Sequence, residues 1–147
     1  MPDQNSSPEL SVILPAFNDG AHIHANIQRV CEALKGMTFE IIVVDDGSSD
    51  NTFAESQRAG QAGLPVRAVR QESNRGKGGT LFHGFEFATG ELVAFLDSDL
   101  EIAPENLLTL IQVMREKEAD GVAGVKDLQD NQFPPLRRAM SRGYRAM

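Results

Sequence analysis

Short apolar runs alternate with longer helical segments along this chain, and the alternation limits its fold more than any other feature. The runs Leu10–Pro15, Phe39–Val44 and Leu92–Leu96 are almost wholly apolar, which is typical of strands that are buried on both faces. Strands that alternate with helices imply βαβ crossovers. The sequence therefore predicts an α/β, Rossmann-like fold, with helices covering both faces of a mainly parallel sheet.

Weaker signals complete this pattern. Val66–Val69 is a shorter third strand, and Gly121–Val125 is a candidate fifth strand. The helical segments are residues 21–35, a segment that ends near residue 59, one that ends before Gly90, and one that begins near Pro104. The third of these helices is predicted to pack through one apolar face, which comprises Leu81, Phe82, Phe85 and Ala88.

A chain of 147 residues is sufficient for one domain with its own core. We expect a disordered leader over residues 1–9, the domain over residues 10–130, and a basic segment over residues 131–147. Residues 1–130 contain ten Lys and Arg against twenty-one Asp and Glu, whereas residues 131–147 contain four arginines and no acid. An acidic body argues against a nucleic-acid binder, because duplex affinity depends on neutralising phosphates.

Nothing in the sequence predicts export or a membrane span. No apolar run approaches the roughly 18 residues that a spanning helix needs, and the polar start lacks the features of a secretory signal. The single cysteine, Cys31, rules out a disulfide within one chain. These features together favour a cytoplasmic protein.

Polar residues follow three of the predicted strands, at the point where each strand ends. The three clusters are Phe17–Asp19, Asp45–Ser48 and Asp97–Asp99. Ligands of open α/β sheets bind in the crevice beyond the carboxyl ends of the strands. We therefore expect the three clusters to meet in one cleft.

The Asp97-Ser98-Asp99 triplet predicts a divalent metal site. Residues two apart in an extended chain project to the same side, and carboxylates suit Mg²⁺ or Mn²⁺, which usually also bind substrate phosphates. Glu101 is a candidate third ligand. The alternative is that these acids favour the start of the helix near Pro104 through its dipole; the strand before them makes the metal site the preferred interpretation.

Two further segments are candidate ligand contacts. Asp46, with Asp45, could accept hydrogen bonds from a base or a sugar, although a simple turn explains the same residues. The segment Asn74–Gly79 (NRGKGG) combines Arg75 and Lys77 with three glycines ahead of a helix. Glycines allow close approach and helix N–H groups favour anions, so this segment predicts phosphate binding; the alternative is a flexible surface loop.

The basic segment has helical periodicity. Leu136, Met140 and Tyr144 recur every four residues, while the arginines occupy other faces. A basic amphipathic helix suits an anionic membrane surface or an acceptor phosphate. Packing against the domain or against a second copy of the chain, as a homodimer, explains the stripe equally well.

Taken together, four segments resemble family 2 glycosyltransferases of the GT-A fold. They are SVILPAFND (11–19), EIIVVDDGSSDNT (40–52), NRGKGGTLFHGFEFATGE (74–91) and VAFLDSDLEIAPENL (93–107). The NRGKGG and DSDLE phrases are most similar to the dolichol-phosphate mannose synthase and polyprenyl-phosphate glycosyltransferase branch. The resemblance covers roughly residues 10–125 and corresponds to the N-terminal part of that family.

The resemblance assigns roles to single residues. Pro15, Ala16 and Asn18 would line the nucleotide pocket, with Asp46 reading the base of a GDP- or UDP-sugar. Asp97 and Asp99, supported by Glu101, would hold Mg²⁺ or Mn²⁺ against the donor diphosphate. Arg75 and Lys77 would lie near that diphosphate. Lys126 and Arg138 are the nearest matches to basic residues that approach an acceptor phosphate.

These assignments imply a metal-dependent, inverting hexosyltransferase that uses Asp97 and Asp99. A lipid phosphate is already anionic and needs no general base, which favours a polyprenyl phosphate as acceptor and a peripheral contact with the cytoplasmic face of a membrane. The alternative is a nucleotide-sugar-binding module without catalysis that acts as a partner subunit. Phe17 and Asp19 depart from the tyrosine and glutamate that are more usual in the family.

Overall fold

The computed structural model describes residues 7–124, in which four strands alternate with four helices. The strands are β1 (Leu10–Ala16), β2 (Phe39–Asp45), β3 (Val66–Arg70) and β4 (Leu92–Phe95). The helices are α1 (Ile23–Ala33), α2 (Thr52–Gln61), α3 (Gly76–Phe85) and α4 (Asn106–Glu116). The predicted alternation of strands and helices is confirmed.

All four strands are parallel and lie in the order β3-β2-β1-β4. Ile13 of β1 is level with Ile42 of β2 on one side and with Phe95 of β4 on the other. The two central strands are the most apolar and the most buried, as expected for strands that are covered on both faces.

Helices α1, α2 and α4 supply side chains to the larger core on one face of the sheet. In α1, Ile23, Ile27 and Val30, together with Leu34 at its C-terminal end, are fully buried, so the helical spacing in the sequence correctly identified this packing stripe. Leu107 and Ile111 of α4 join the same core. The chain leaves α1 through Gly36, whose φ of +98° requires glycine.

Among the described helices, α3 is the one that packs on the opposite face, and its contact differs from the prediction only in part, since Leu81 and Ala88 pack against the core on this face as predicted. Thr80 and Gly84 are its buried residues, whereas Phe82 and Phe85 are 72% and 55% exposed. A Cβ at Gly84 would lie 2.5 Å from Cγ2 of Ile13. The helix thus approaches the sheet so closely at Gly84 that no larger residue fits there, and the two aromatic side chains project outward.

The predicted strand Gly121–Val125 is not formed within the described residues. Residues 121–124 have no regular secondary structure, and Val125 lies outside the described part. In the sheet as described, β4 is consequently an edge strand, and Phe95 is 54% exposed. The propensity of a short, glycine-containing run does not predict a strand by itself, because a strand forms only where a neighbouring strand pairs with it.

Two residues of the predicted leader make ordered contacts. Leu92 N–H donates to the Glu9 carbonyl at 3.0 Å, and Glu91 N–H donates to the Pro8 carbonyl at 3.1 Å. The predicted basic segment, residues 131–147, lies outside the described residues, as do Lys126 and Arg138. Within residues 7–124, no helix is long and apolar enough to cross a membrane.

Candidate functional site

The three polar clusters meet at the carboxyl edge of the sheet, as predicted. Asn18 N–H donates to Ser48 Oγ at 2.9 Å, and Ser49 N–H donates to the Asn18 side-chain oxygen at 2.9 Å. Asp19 connects this pair of segments to the third, because its Oδ2 accepts a hydrogen bond from Ser98 Oγ at 2.9 Å. These hydrogen bonds therefore connect the three polar clusters into one continuous edge.

Asp45 stabilises the turn after β2. Its side chain is fully buried and lies 3.2 Å from Nε of Arg70, while its other oxygen accepts the Ser48 N–H at 3.2 Å. Arg70 also donates to the Ser48 carbonyl at 2.9 Å. A buried carboxylate needs such partners, so the structure gives Asp45 a structural role.

Asp46 connects the end of β2 to the start of α3. Its two carboxylate oxygens accept the N–H groups of Arg75 and Gly76 at 2.7 and 3.0 Å. The N-cap residue of α3, Arg75, makes no side-chain hydrogen bond that caps the helix. Asp46, which directly follows β2, accepts these N–H groups and so caps the helix. A carboxylate has about four acceptor sites, so Asp46 retains capacity for a ligand.

A cleft of about 160 Å³ opens at this edge between β1, β4 and the start of α3. Its lining residues are Pro15, Ala16, Phe17, Asp46, Lys77, Thr80 and Asp97. Lys77 and Asp97 form an ion pair across it, with 62% and 45% of their side chains exposed. The cleft therefore presents both charges to solvent beside the N-terminus of α3.

The backbone of α3 is accessible where it begins. A Cβ at Gly76 or Gly78 would meet no heavy atom within 4 Å. The first N–H groups of a helix have no partner within the helix and favour anions. The NRGKGG segment thus forms an exposed helix start, and phosphate binding there stays a prediction because Asp46 already accepts the N–H of Gly76.

The predicted metal ligands are brought together only in part. Asp97 lines the cleft, Asp99 is exposed and accepts the Glu101 N–H at 3.0 Å, and Glu101 is exposed. Among the described residues, no three His, Cys, Asp or Glu side chains are grouped closely enough to hold a metal. The carboxylates suit an ion whose coordination is completed by the substrate's phosphates.

Two predicted contact residues do not line the cleft, and two residues that were given no contact role do. Asn18 uses its side chain to bind Ser49, and Arg75 reaches the site through its backbone. Phe17, which is 51% exposed, and Thr80 complete the lining. Nothing in the sequence distinguishes Thr80 from its neighbours in the predicted helix. Only the folded structure shows that Thr80 lines the cleft.

Asp50, which lies just before α2, joins two segments of the same edge. The hydroxyl of Thr52 and the N–H of Gly20, which donates at 2.9 Å, lower the pKa of Asp50 below its ordinary value. The loop after β1 and the start of α2 are thereby joined through a carboxylate that stays ionised at neutral pH.

Comparisons with known proteins give a consistent result. The family described as Glycosyl transferase family 2 matches residues 11–146. The dolichol-phosphate mannosyltransferase of Pyrococcus furiosus is 31% identical over 92% of this chain and 39% of its own length. The undecaprenyl-phosphate 4-deoxy-4-formamido-L-arabinose transferase of Serratia proteamaculans is 38% identical over 74% of this chain and 34% of its own length.

A solved structure shares the same arrangement. A mannosyltransferase from Pyrobaculum calidifontis, in complex with GDP-Man and Mn²⁺, is 28% identical, with a TM-score of 0.64 over 78% of this chain and 34% of its own. The chain thus spans less than two fifths of each of these relatives.

Proposed function

The chain belongs to glycosyl transferase family 2, and from this premise we propose that it transfers a sugar from a nucleoside diphosphate donor to a polyprenyl phosphate. The transfer is proposed to depend on Mg²⁺ or Mn²⁺ and to invert the anomeric carbon. The observation that carries this proposal is the cleft, in which Asp46, Lys77 and Asp97 converge beside the start of α3.

Part of the cleft lining suits a nucleoside. Phe17 offers an aromatic face that is half-exposed, and aromatic rings stack on nucleobases. Asp46 lies beside it and can accept a hydrogen bond from a base N–H, although both its oxygens already hold the start of α3. Pro15 and Ala16 add apolar surface to the same cleft.

The charged part of the cleft lining suits the diphosphate. Lys77 and the N-terminus of α3 favour negative charge, and Asp97 and Asp99 are the side chains that would hold the divalent ion. When bound, such an ion acts as a Lewis acid that stabilises charge on the leaving diphosphate. Lys77 supplies a second positive charge at the same place, without the need for a proton transfer.

The acceptor is proposed from chemistry and from the relatives. A phosphate oxygen is already a charged nucleophile, so it needs no general base to attack the anomeric carbon. Attack from the side opposite the departing diphosphate forms the new C–O bond and inverts the configuration. Two of the relatives carry names that specify dolichol phosphate and undecaprenyl phosphate.

A panel of nucleotide sugars tests the donor half of the proposal. GDP- and UDP-sugars are added to the 147-residue chain with Mn²⁺ or with EDTA, and the melting temperature is measured. We expect one donor to raise it with Mn²⁺ present and to have a much smaller effect with EDTA. Equal stabilisation in both conditions would contradict metal dependence, and the absence of stabilisation by any donor would contradict the site.

A transfer assay tests the acceptor half. Donor labelled in the sugar is mixed with a short-chain polyprenyl phosphate, and the lipid product is extracted and counted. Labelled lipid is the expected result. Donor binding without transfer would instead support a binding module that acts beside a catalytic partner, while transfer to a sugar hydroxyl would replace the lipid acceptor.

A further inference from the structure

The middle residue of the Asp97–Asp99 turn is held from α1 and from the loop that precedes α1. Ser98 Oγ donates to Asp19 Oδ2 at 2.9 Å, and the side-chain amide of Asn26 donates to the Ser98 carbonyl at 2.8 Å. Ser98 itself is only 8% exposed. The hydroxyl and the carbonyl of this buried residue are therefore held by side chains from elsewhere in the chain.

The ends of the turn are fixed by the core. Leu96 and Leu100 are each 6% exposed and belong to the larger core. Leu100 has a φ of +52°, and its N–H donates to the Asp97 carbonyl at 3.0 Å. A non-glycine residue in this left-handed region is unfavourable, so the surrounding contacts hold the turn in one shape.

Asn26 is an unusual choice for its own helix. It lies inside α1, between the buried residues Ile23 and Ile27, and asparagine is less favourable than alanine in a helix interior because its short amide competes for backbone groups. Its hydrogen bond to Ser98 joins positions 72 apart in sequence. We therefore expect Asn26 to contribute through its hydrogen bond to the turn rather than through the stability of α1.

We propose that Asn26 and Asp19 are positioning residues, which hold the Ser98 turn so that Asp97 and Asp99 face a metal-bound diphosphate together. This inference rests on the proposed function, because it assumes that the two aspartates bind the ion. Groups that orient metal ligands without touching the metal commonly change metal affinity 10- to 100-fold when they are removed.

The test measures nucleotide binding with and without the ion. Calorimetric titrations of the whole chain use GDP and UDP, each in Mn²⁺ and in EDTA, and the nucleotide that binds more tightly is used throughout. In Asn26→Ala we expect the Mn²⁺-supported affinity to fall about tenfold, while the affinity in EDTA changes less than about twofold. The melting temperature should be maintained, because alanine is the better helix former.

Two variants complete the experiment. Gln28→Ala makes the matching change on the exposed side of α1 and should leave both affinities unchanged. Ser98→Ala removes the hydroxyl that binds Asp19 but keeps the carbonyl that accepts from Asn26, and it should also weaken only the Mn²⁺-supported binding. Ser98→Ala decides the matter if Asn26→Ala fails to fold.

The outcomes separate this inference from the proposed function. Equal losses in Mn²⁺ and in EDTA, or no loss in either variant, would overturn the positioning role while leaving the metal site intact. If the unsubstituted chain gains no nucleotide affinity from Mn²⁺, or if Asp97→Asn leaves that gain in place, the metal site is wrong and the positioning role falls with it.

Discussion

Asp97 lines the cleft and forms an ion pair with Lys77. Asp97→Asn keeps the shape of the side chain and removes its charge. We expect transfer to fall about 100-fold or more, the size of effect found when one group that stabilises a transition-state charge is lost. Since the ion pair with Lys77 is largely exposed, the free energy of unfolding should change by less than about 1 kcal/mol.

Steady-state transfer rates and urea unfolding measure these two effects. Asp120→Asn is the matched control, because Asp120 is an exposed residue beyond α4 and should alter neither quantity. Full transfer activity in the Asp97 variant would remove this residue from the reaction.

The packing of α3 on the sheet depends on a glycine. At Gly84, an added Cβ would lie 2.5 Å from Ile13 Cγ2 and 2.9 Å from Val44 Cγ2. Both of those side chains are fully buried, so they cannot move aside without disturbing the core. Overpacking of this kind costs about 1–3 kcal/mol, and we expect Gly84→Ala to lower the free energy of unfolding accordingly.

Gly78→Ala provides the opposite result in the same helix. Its added Cβ meets no heavy atom within 4 Å, so the substitution should stabilise the chain by about 0.5–1 kcal/mol through helix propensity. Urea unfolding measures both variants. Equal shifts in the two would show that the helix does not approach the sheet as closely as described.

Glu40 of β2 joins β1 to the loop before β4 at the amino edge of the sheet. Its Oε1 accepts from Ser11 Oγ at 2.6 Å and from the N–H of Thr89 at 2.7 Å. Burial acts to raise the pKa of Glu40, but these hydrogen bonds outweigh it and the pKa is lowered. Gly90 lies at the same junction, and a Cβ added there would be 2.6 Å from Ser11 N. No larger residue therefore fits at position 90.

This lowered pKa predicts an acid sensitivity. Because the folded-state pKa lies below the unfolded value of about 4.3, the stabilisation by Glu40 is fully present above pH 4.3 and is lost as the pH falls through the folded-state pKa. Glu40→Gln should therefore be less stable at pH 7 and should lose less stability than the unsubstituted chain between about pH 5 and pH 3.

Urea unfolding across that pH range is the measurement. Glu118→Gln, at an exposed position, is the control and should follow the unsubstituted chain. If the Glu40 variant shows the same pH dependence as the unsubstituted chain, its hydrogen bonds do not favour the ionised form.

The molecule as described has one face rich in exposed aromatic side chains. Phe82 and Phe85 of α3 are 72% and 55% exposed, and Phe95 of β4 is 54% exposed. Phe95 is level with Ile13, so it projects from the face on which α3 packs. Exposed apolar surface and an edge strand both favour association.

We expect the chain to self-associate through this face. Phe82→Glu should raise the dissociation constant about 10- to 100-fold, since burial of a phenylalanine is worth about 1.5–3 kcal/mol. The free energy of unfolding should change by less than about 0.5 kcal/mol. Sedimentation equilibrium measures association, with Val113→Glu on the exposed surface of α4 as control. A monomeric chain, or equal effects of both changes, would contradict this expectation.

Periodicity identified the elements because it reports burial directly. The spacing of Ile23, Ile27 and Val30 gave the packing face of α1, and the three apolar runs gave β1, β2 and β4. The α3 face was predicted correctly at Leu81 and Ala88 but wrongly at Phe82 and Phe85, because apolar character alone does not show how closely the helix approaches the sheet at Gly84.

The sequence by itself determined the α/β fold, the family, and the meeting of three polar clusters at one edge, because strand ends in a parallel sheet are neighbours by construction. Only the tertiary structure decided which acids hold the protein together and which face the cleft. Asp45 and Asp46 are adjacent and chemically identical, yet one is buried against Arg70 and the other caps α3 at the cleft wall. Such partners are distant in sequence, so only the folded chain brings them together.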